Sequence, residues 1–348
     1  MTNRVQHLTI PAQALRDAAV VGLDAGEDHG HWATQFPVLQ EIQMGSGDSN
    51  RPIVDQFRIG AWNLERGAQW SQAVDCIRDA QLDVVLASEL DFGMSRSQQL
   101  HTTQHMAQAL GWHWAFAVEF IELGLGSPWE QNRPSDEAEN LAGLHGNAIL
   151  SRFPLDDLRL IRFQNSDGYW WHRRWNEPRL GGRIALVATL QSAYGPVQIV
   201  STHLESNANP RHRASQVSDI LEQLEPNTAT VLGGDLNTNT IDIDQSSDLF
   251  RLRSALVQAD ATRFLQPEPH EPVFALLASA GFRKGTANTA DTTQRPRERG
   301  YPKPPFGRID WLFVRGCLAT NPATLAALDP TGQTISDHEL ITANIVLR

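Results

Sequence analysis

Thr230-Val231-Leu232-Gly233-Gly234-Asp235-Leu236-Asn237 runs from an apolar strand pattern straight into an acid and an amide two residues apart. Side chains alternate faces on an extended strand, so residues i and i+2 share a side. Asp235 and Asn237 therefore aim together from a strand's end, where one metal ion or one water can be held. Alone the motif is weak. Its weight comes from other short polar motifs that also sit at the ends of apolar runs. Asn63 ends one run in Trp62-Asn63-Leu64, and Glu89 another in Ala87-Ser88-Glu89. His145 and Asn147 open Ala148-Ile149-Leu150, and His203 follows Val197-Gln198-Ile199-Val200. Asp310 lies in Arg308-Ile309-Asp310-Trp311, and Asp337 and His338 follow Ser336.

Around these motifs, strand and helix patterns alternate from Phe57 onward. Arg58–Trp62, Asp83–Ala87, Ile184–Val187 and Val197–Val200 read as strands, as do stretches around Phe313 and Val346. Trp70, Ala73, Val74 and Ile77 fall at helical spacing. A helix over Leu100–Leu110 stops at Gly111, one begins at Asn209-Pro210, and one begins at Pro272. The expected fold is α/β: a four-layer αββα sandwich of two mixed β-sheets flanked by helices. Residues 55–348 form the catalytic domain. Residues 1–54 read as an N-terminal extension, partly loop or linker, in which His29 and His31 are solvated loop residues. Long loops at 122–145, 236–247 and 283–305 are the places to look for function.

The chain has 348 residues, 41% hydrophobic and 20% charged, enough for a sizeable core. No apolar stretch approaches a membrane span, and the first residues lack a secretory layout, so a cytoplasmic location is expected. Cys76 and Cys317 have no metal-binding spacing and read as two buried thiols. The net charge of −11 argues against broad non-specific DNA binding, which needs many phosphate contacts. Residues 283–308 run the other way, with seven basic residues against two acidic ones.

The polar set is rich in oxygen and amide donors with imidazole and holds no thiolate, which suits Mg²⁺ or Mn²⁺. Glu89 is the first choice as metal ligand, with Asn63 and Asp337. Asp235 would orient or deprotonate a water, and Asn237 would hold the phosphate or that water. His203 and His338 would donate hydrogen bonds to phosphate oxygens, or one would act as general acid. Asp310 would orient His338. His145 joins the catalytic candidates, although it also fits a satisfied core histidine. Asn147, Arg183 and Arg308 are candidates for holding the substrate.

As a set and in order, Trp62-Asn63-Leu64, Ser88-Glu89, Gly146-Asn147-Ala148-Ile149-Leu150-Ser151-Arg152, Thr202-His203-Leu204-Glu205-Ser206, Gly234-Asp235-Leu236-Asn237, Arg308-Ile309-Asp310 and Ser336-Asp337-His338 resemble the endonuclease/exonuclease/phosphatase superfamily. The Thr-His-Leu-Glu-Ser run resembles its deoxyribonuclease, sphingomyelinase and 5′-tyrosyl-DNA phosphodiesterase branches. The resemblance covers about residues 57–348. It implies the four-layer sandwich and divalent-metal hydrolysis of phosphodiesters or phosphomonoesters. It also implies that Glu89 binds the metal while Asp235, Asn237 and His338 carry the chemistry.

The substrate is a phosphate ester: nucleic acid, nucleotide, lipid or small molecule. Tyr169-Trp170-Trp171-His172-Arg173-Arg174-Trp175, before Arg179 and Arg183, fits base stacking with phosphate contacts. It fits equally a lipid interface or a β-hairpin with cross-strand aromatic pairs. The basic loop at 283–308 is a clamp for an anion or a solvated loop. A catalytically silent binding module is the least favoured reading, because the polar set is intact.

Overall fold

Period-two alternation sorts the apolar side chains into three cores, and these separate four layers of backbone. The computed structural model describes residues 2–50, 52–53, 55–127, 130–132, 139–164, 170–171, 177–242, 249–296 and 306–348. One sheet has nine strands. From one edge they are β1 (Asn3–Val5), β2 (Glu41–Gly45), β5 (His113–Glu122), β6 (Leu144–Ser151), β4 (Val84–Phe92), β3 (Gln56–Arg66), β14 (Leu340–Val346) and β13 (Leu318–Leu325), with β8 (Arg179–Gly181) also paired to β5. The other sheet has five: β12 (Asp310–Arg315), β11 (Ala229–Asp235), β10 (Gly195–His203), β9 (Ile184–Ser192) and β7 (Asp156–Arg162).

Val84 and Leu86 face inward with Ile59 and Ile149, and meet Leu186, Ile199, Val231 and Leu312 of the second sheet. Their neighbours Val85 and Ala87 face outward, under α1 (Gln13–Ala25), α3 (Trp70–Asp79) and α4 (Thr102–Leu110). On the far side Val187, Val200 and Leu232 are covered by α5 (Pro210–Gln223) and α7 (Val273–Ser279). The short α2 (His29–Ala33) and α6 (Leu249–Ala259) complete the helices of the described residues. This is the expected sandwich of two mixed sheets flanked by helices. The helix starts and stops follow local chemistry. Asn209 accepts the His212 N–H at 2.9 Å ahead of Pro210, and Gly111 ends α4 at φ 69°.

The N-terminal residues are more regular than an extension. β1 pairs with β2 in parallel, and β2 pairs antiparallel with β5, so residues 3–45 lengthen the large sheet. His29 is buried, not solvated: Gly181 donates its N–H to His29 Nε2 at 3.1 Å. Cys317 is buried and Cys76 half-buried, and both are free. Among the described residues no helix is long and apolar enough to cross a membrane.

Candidate active site

Strand register assembles the centre. β10 and β11 run parallel with His203 opposite Asp235, and β11 and β12 run antiparallel with Asp235 opposite Asp310. Three chemically active side chains thus lie in one row across neighbouring strands. Gly234 makes that row possible. Its φ is 140°, and a Cβ there would stand 1.9 Å from the Thr202 carbonyl oxygen. From the other sheet, β3 brings Asn63. The turn before β14 brings His338, tied to β3 by Trp62 Nε1 donating to the His338 carbonyl at 2.9 Å and by Ser336 Oγ donating to the Asn63 carbonyl at 2.6 Å.

Asp235 is the hub. Its Oδ1 accepts the Asn237 N–H at 2.9 Å. Its Oδ2 accepts Asn63 Nδ2 at 3.2 Å and faces His203 Nε2 at 3.4 Å and His338 Nε2 at 3.8 Å. Burial alone would raise the Asp235 carboxyl. The His338 charge, the His203 contact and the Asn237 N–H outweigh it and hold the group below its ordinary value. His338 Nδ1 lies 2.9 Å from Asp310 Oδ2. Burial would lower this imidazole, but the carboxylates of Asp310 and Asp235 hold it well above the usual histidine range. Asn237 turns back at φ 47° and donates Nδ2 to the Leu204 carbonyl at 2.9 Å.

A second group adjoins through His203. Arg183 Nη1 lies 2.8 Å from His203 Nδ1 and donates to Glu119 Oε2 at 3.0 Å, while Asn147 Nδ2 donates to Glu119 Oε1 at 3.1 Å. Glu119 was not expected from the sequence. It lies in β5, whose ten residues are all buried, so its carboxylate must find partners there.

Glu89 sits where β4 slips register against both β3 and β6, at φ 55°, and such bulges re-aim side chains. It is ion-paired with Arg66, which also donates Nε to Glu130 Oε1 at 2.8 Å. Behind it lies a buried ion network. Arg96 donates to both Asp91 oxygens at 2.8 and 2.9 Å and to Glu122 Oε1 at 3.1 Å, and Arg179 donates Nε to Glu122 at 2.9 Å.

Two expected residues lie elsewhere. His145 is fully buried in this network with Nδ1 2.8 Å from Asp91 Oδ1, and burial lowers it. No bond among the described residues joins it to Asp235 or His338, so the structure places it as a core histidine. Arg308 is 1% exposed, its Nη1 donates to the Asp291 carbonyl at 2.6 Å, and its guanidinium lies 4.9 Å from the Trp311 ring centroid. It braces the 288–291 turn. Asp337 is buried in the His338 turn, where its carbonyl accepts the Arg295 N–H at 3.0 Å.

Among the described residues Asp235, Asp310 and His338 bring ligand atoms within 4.8 Å of one another. Asp310 Oδ1 and Asn147 Oδ1 are buried and lack a hydrogen-bond partner among those residues. The two carboxylates, one of which carries the orphaned oxygen, suit a hard divalent cation. Of the expected substrate segment, residues 169 and 172–175 lie outside the described residues, as do 297–305 of the basic loop. Trp170 and Trp171 are buried. Trp170 Nε1 donates to Glu205 Oε2 at 3.3 Å under the Arg179 guanidinium, and Trp171 Nε1 donates to the Glu27 carbonyl at 3.1 Å.

No curated protein matches this chain. Solved structures share its fold. An endonuclease/exonuclease/phosphatase from Beutenbergia cavernae is 17% identical with a TM-score of 0.54, over 84% of this chain and 72% of that one. The human Nocturnin catalytic domain is 17% identical with a TM-score of 0.51, over 90% and 98%. A family protein from Leptotrichia buccalis is 12% identical with a TM-score of 0.51, over 82% and 98%. In sequence, residues 60–338 match the Endonuclease/Exonuclease/phosphatase family, a span that begins in β3 and ends on His338, and the chain belongs to that family.

Proposed function

We propose that the protein is a divalent-metal-dependent hydrolase of phosphoester bonds that acts on phosphodiesters. One observation carries this: a buried carboxylate oxygen, Asp235 Oδ2, is met by an amide and two imidazoles within 3.8 Å. Asp235, held ionised, takes a proton from water as the water oxygen bonds to phosphorus. The ester P–O bond breaks on the opposite side, and the leaving oxygen takes a proton. Asn63 and Asn237 supply amide contacts to the water or to the phosphate, and His203 stands beside them. Glu89 and Asn63, with Asp337 behind, would hold Mg²⁺ or Mn²⁺. A bound ion neutralises charge on a phosphate oxygen.

A second reading, hydrolysis of a small molecule or phospholipid head group, is favoured by the net charge of −11. It is also favoured by the site's arginines, since Arg66, Arg96, Arg179 and Arg183 all pair with carboxylates. The test is hydrolysis of a generic phosphodiester, single- and double-stranded DNA, RNA, phospholipids and nucleotide phosphates, with Mg²⁺ and with chelator. Asp235→Asn and His338→Ala should each lose about 10²-fold or more in kcat with an unchanged circular dichroism spectrum. Unchanged turnover in both would remove the assignment. Cleavage of lipids alone would select the second reading.

A further inference from the structure

Two imidazoles face Asp235 Oδ2, and their far nitrogens have opposite partners. His338 Nδ1 lies 2.9 Å from Asp310 Oδ2. A carboxylate can only accept, so this nitrogen carries a proton. His203 Nδ1 lies 2.8 Å from Arg183 Nη1. A guanidinium has N–H donors and no acceptor, so this contact is a hydrogen bond only when Nδ1 presents its lone pair. The ring proton of His203 is then on Nε2, pointing toward Asp235.

We propose that Arg183 is a positioning residue that fixes His203 as the Nε2–H tautomer, so that His203 donates a hydrogen bond from Nε2 to a phosphoryl oxygen. The catalytic half of this rests on the hydrolase reading; the tautomer does not.

The surroundings hold Arg183 to the task. It is 4% exposed. Its Nη1 bonds Glu119 Oε2 at 3.0 Å, and Asn147 steadies the other Glu119 oxygen at 3.1 Å. Its Nε is 3.8 Å from Glu205 Oε2, and its guanidinium carbon sits 5.2 Å from the Phe120 centroid. Glu119 Oε2 is 3.7 Å from His203 Nδ1, beyond hydrogen-bond reach, and the guanidinium nitrogen is nearer to both. An acid–histidine dyad like that of Asp310 and His338 is thus prevented at His203. A ring with its one proton on Nε2 can donate a hydrogen bond there, but giving that proton up would leave an imidazolate.

The experiment is long-range ¹H–¹⁵N correlation on the full chain labelled at histidine, with His203 assigned by loss of its signals in His203→Gln. Wild type should show a protonated Nε2 and a bare Nδ1 at His203. Arg183→Met should move the proton to Nδ1 or give a doubly protonated ring facing Glu119. It should also lower kcat about 10²-fold, the effect of one misplaced donor, with KM little changed. Arg183→Lys keeps a donor and should keep the tautomer. An Nδ1–H or doubly protonated ring in wild type overturns the proposal, and so does a Met variant with the wild-type spectrum. Should the Met variant fail to fold, the wild-type spectrum decides alone. Absence of turnover on every phosphoester would defeat the hydrolase reading and leave the spectrum to judge the tautomer separately.

Discussion

Gly234 shows how narrowly the row of His203, Asp235 and Asp310 is fixed at the scale of one residue. Its carbonyl-facing side has no room for a methyl group, and its φ of 140° is closed to L side chains without strain. Gly234→Ala should therefore destabilise the fold by about 2–5 kcal/mol, the sum of a strained φ and a backbone clash. Urea denaturation measures this, and a loss under about 1 kcal/mol would show that β11 can shift without disturbing its neighbours. The same residue explains why Asp235 was legible from the sequence. A strand end that needs two glycines before an acid announces a crowded, specific placement. Arg308 and His145 show what a strand-end position leaves out. It says that a side chain is near the rim, not which partner it meets: Arg308 bonds the Asp291 carbonyl and His145 lies against Asp91.

At the scale of elements, the N-terminal segment is a brace for the loop that leads to Arg183. His29 in α2 accepts the Gly181 N–H, its ring meets Trp171 edge-on at 5.6 Å, and Trp171 donates to Glu27. Arg16 of α1 donates to the Asn140 carbonyl at 2.6 Å, and Asn140 in turn accepts the Ser95 N–H at 2.9 Å and donates to the Gly124 carbonyl at 2.9 Å. Replacing His29 by Ala removes the acceptor of a buried amide, which should cost about 1–3 kcal/mol locally. Amide hydrogen exchange should accelerate over residues 179–183 while α5 and β11 keep their protection. Equal exchange across the molecule, or no change at Gly181, would mean that α2 does not restrain β8. This element was hidden in the sequence. Residues 13–45 mix apolar and acidic residues, and β1 and β2 are strands of three and five residues, too short to show alternation. The strands with long alternating or apolar runs, β3, β4, β9, β10 and β11, were readable because burial on both faces forces such runs. β5 was missed because Glu119 and Glu122 interrupt its apolar run.

At the scale of the whole molecule, stability in mild acid responds to buried histidines that burial holds neutral. His101 is buried, packs at 4.4 Å on Phe92, faces Gln43 Oε1 through Nε2 at 3.1 Å and accepts the Gln104 N–H on Nδ1 at 3.4 Å. Burial, with the nearby His105, pushes it down to about 3. His145 is also lowered, by burial that exceeds the effect of Asp91. A histidine depressed in the folded chain binds its proton first in the unfolded chain. Its stability contribution is whole above the unfolded value near 6.5 and is lost as pH falls below it. His338 works the other way. Its folded value is raised, so its contribution is complete below pH ~6.5 and adds no slope there. The depressed carboxyls of Asp91, Glu122 and Glu130 begin to cost stability only below their unfolded values near 4. In the window from about pH 6.5 to 4.5 His101 and His145 lose stability as pH falls, while Glu177 and Asp310, whose carboxyls burial raises, work against them. Each uncompensated proton contributes a slope of about 1.4 kcal/mol per pH unit. His101→Gln, which keeps an amide donor for Gln43, should cut the slope of unfolding free energy in this window by close to one proton. Urea midpoints at half-unit steps from pH 7.5 to 4.5 measure it. A variant slope equal to that of wild type would place the acid sensitivity elsewhere.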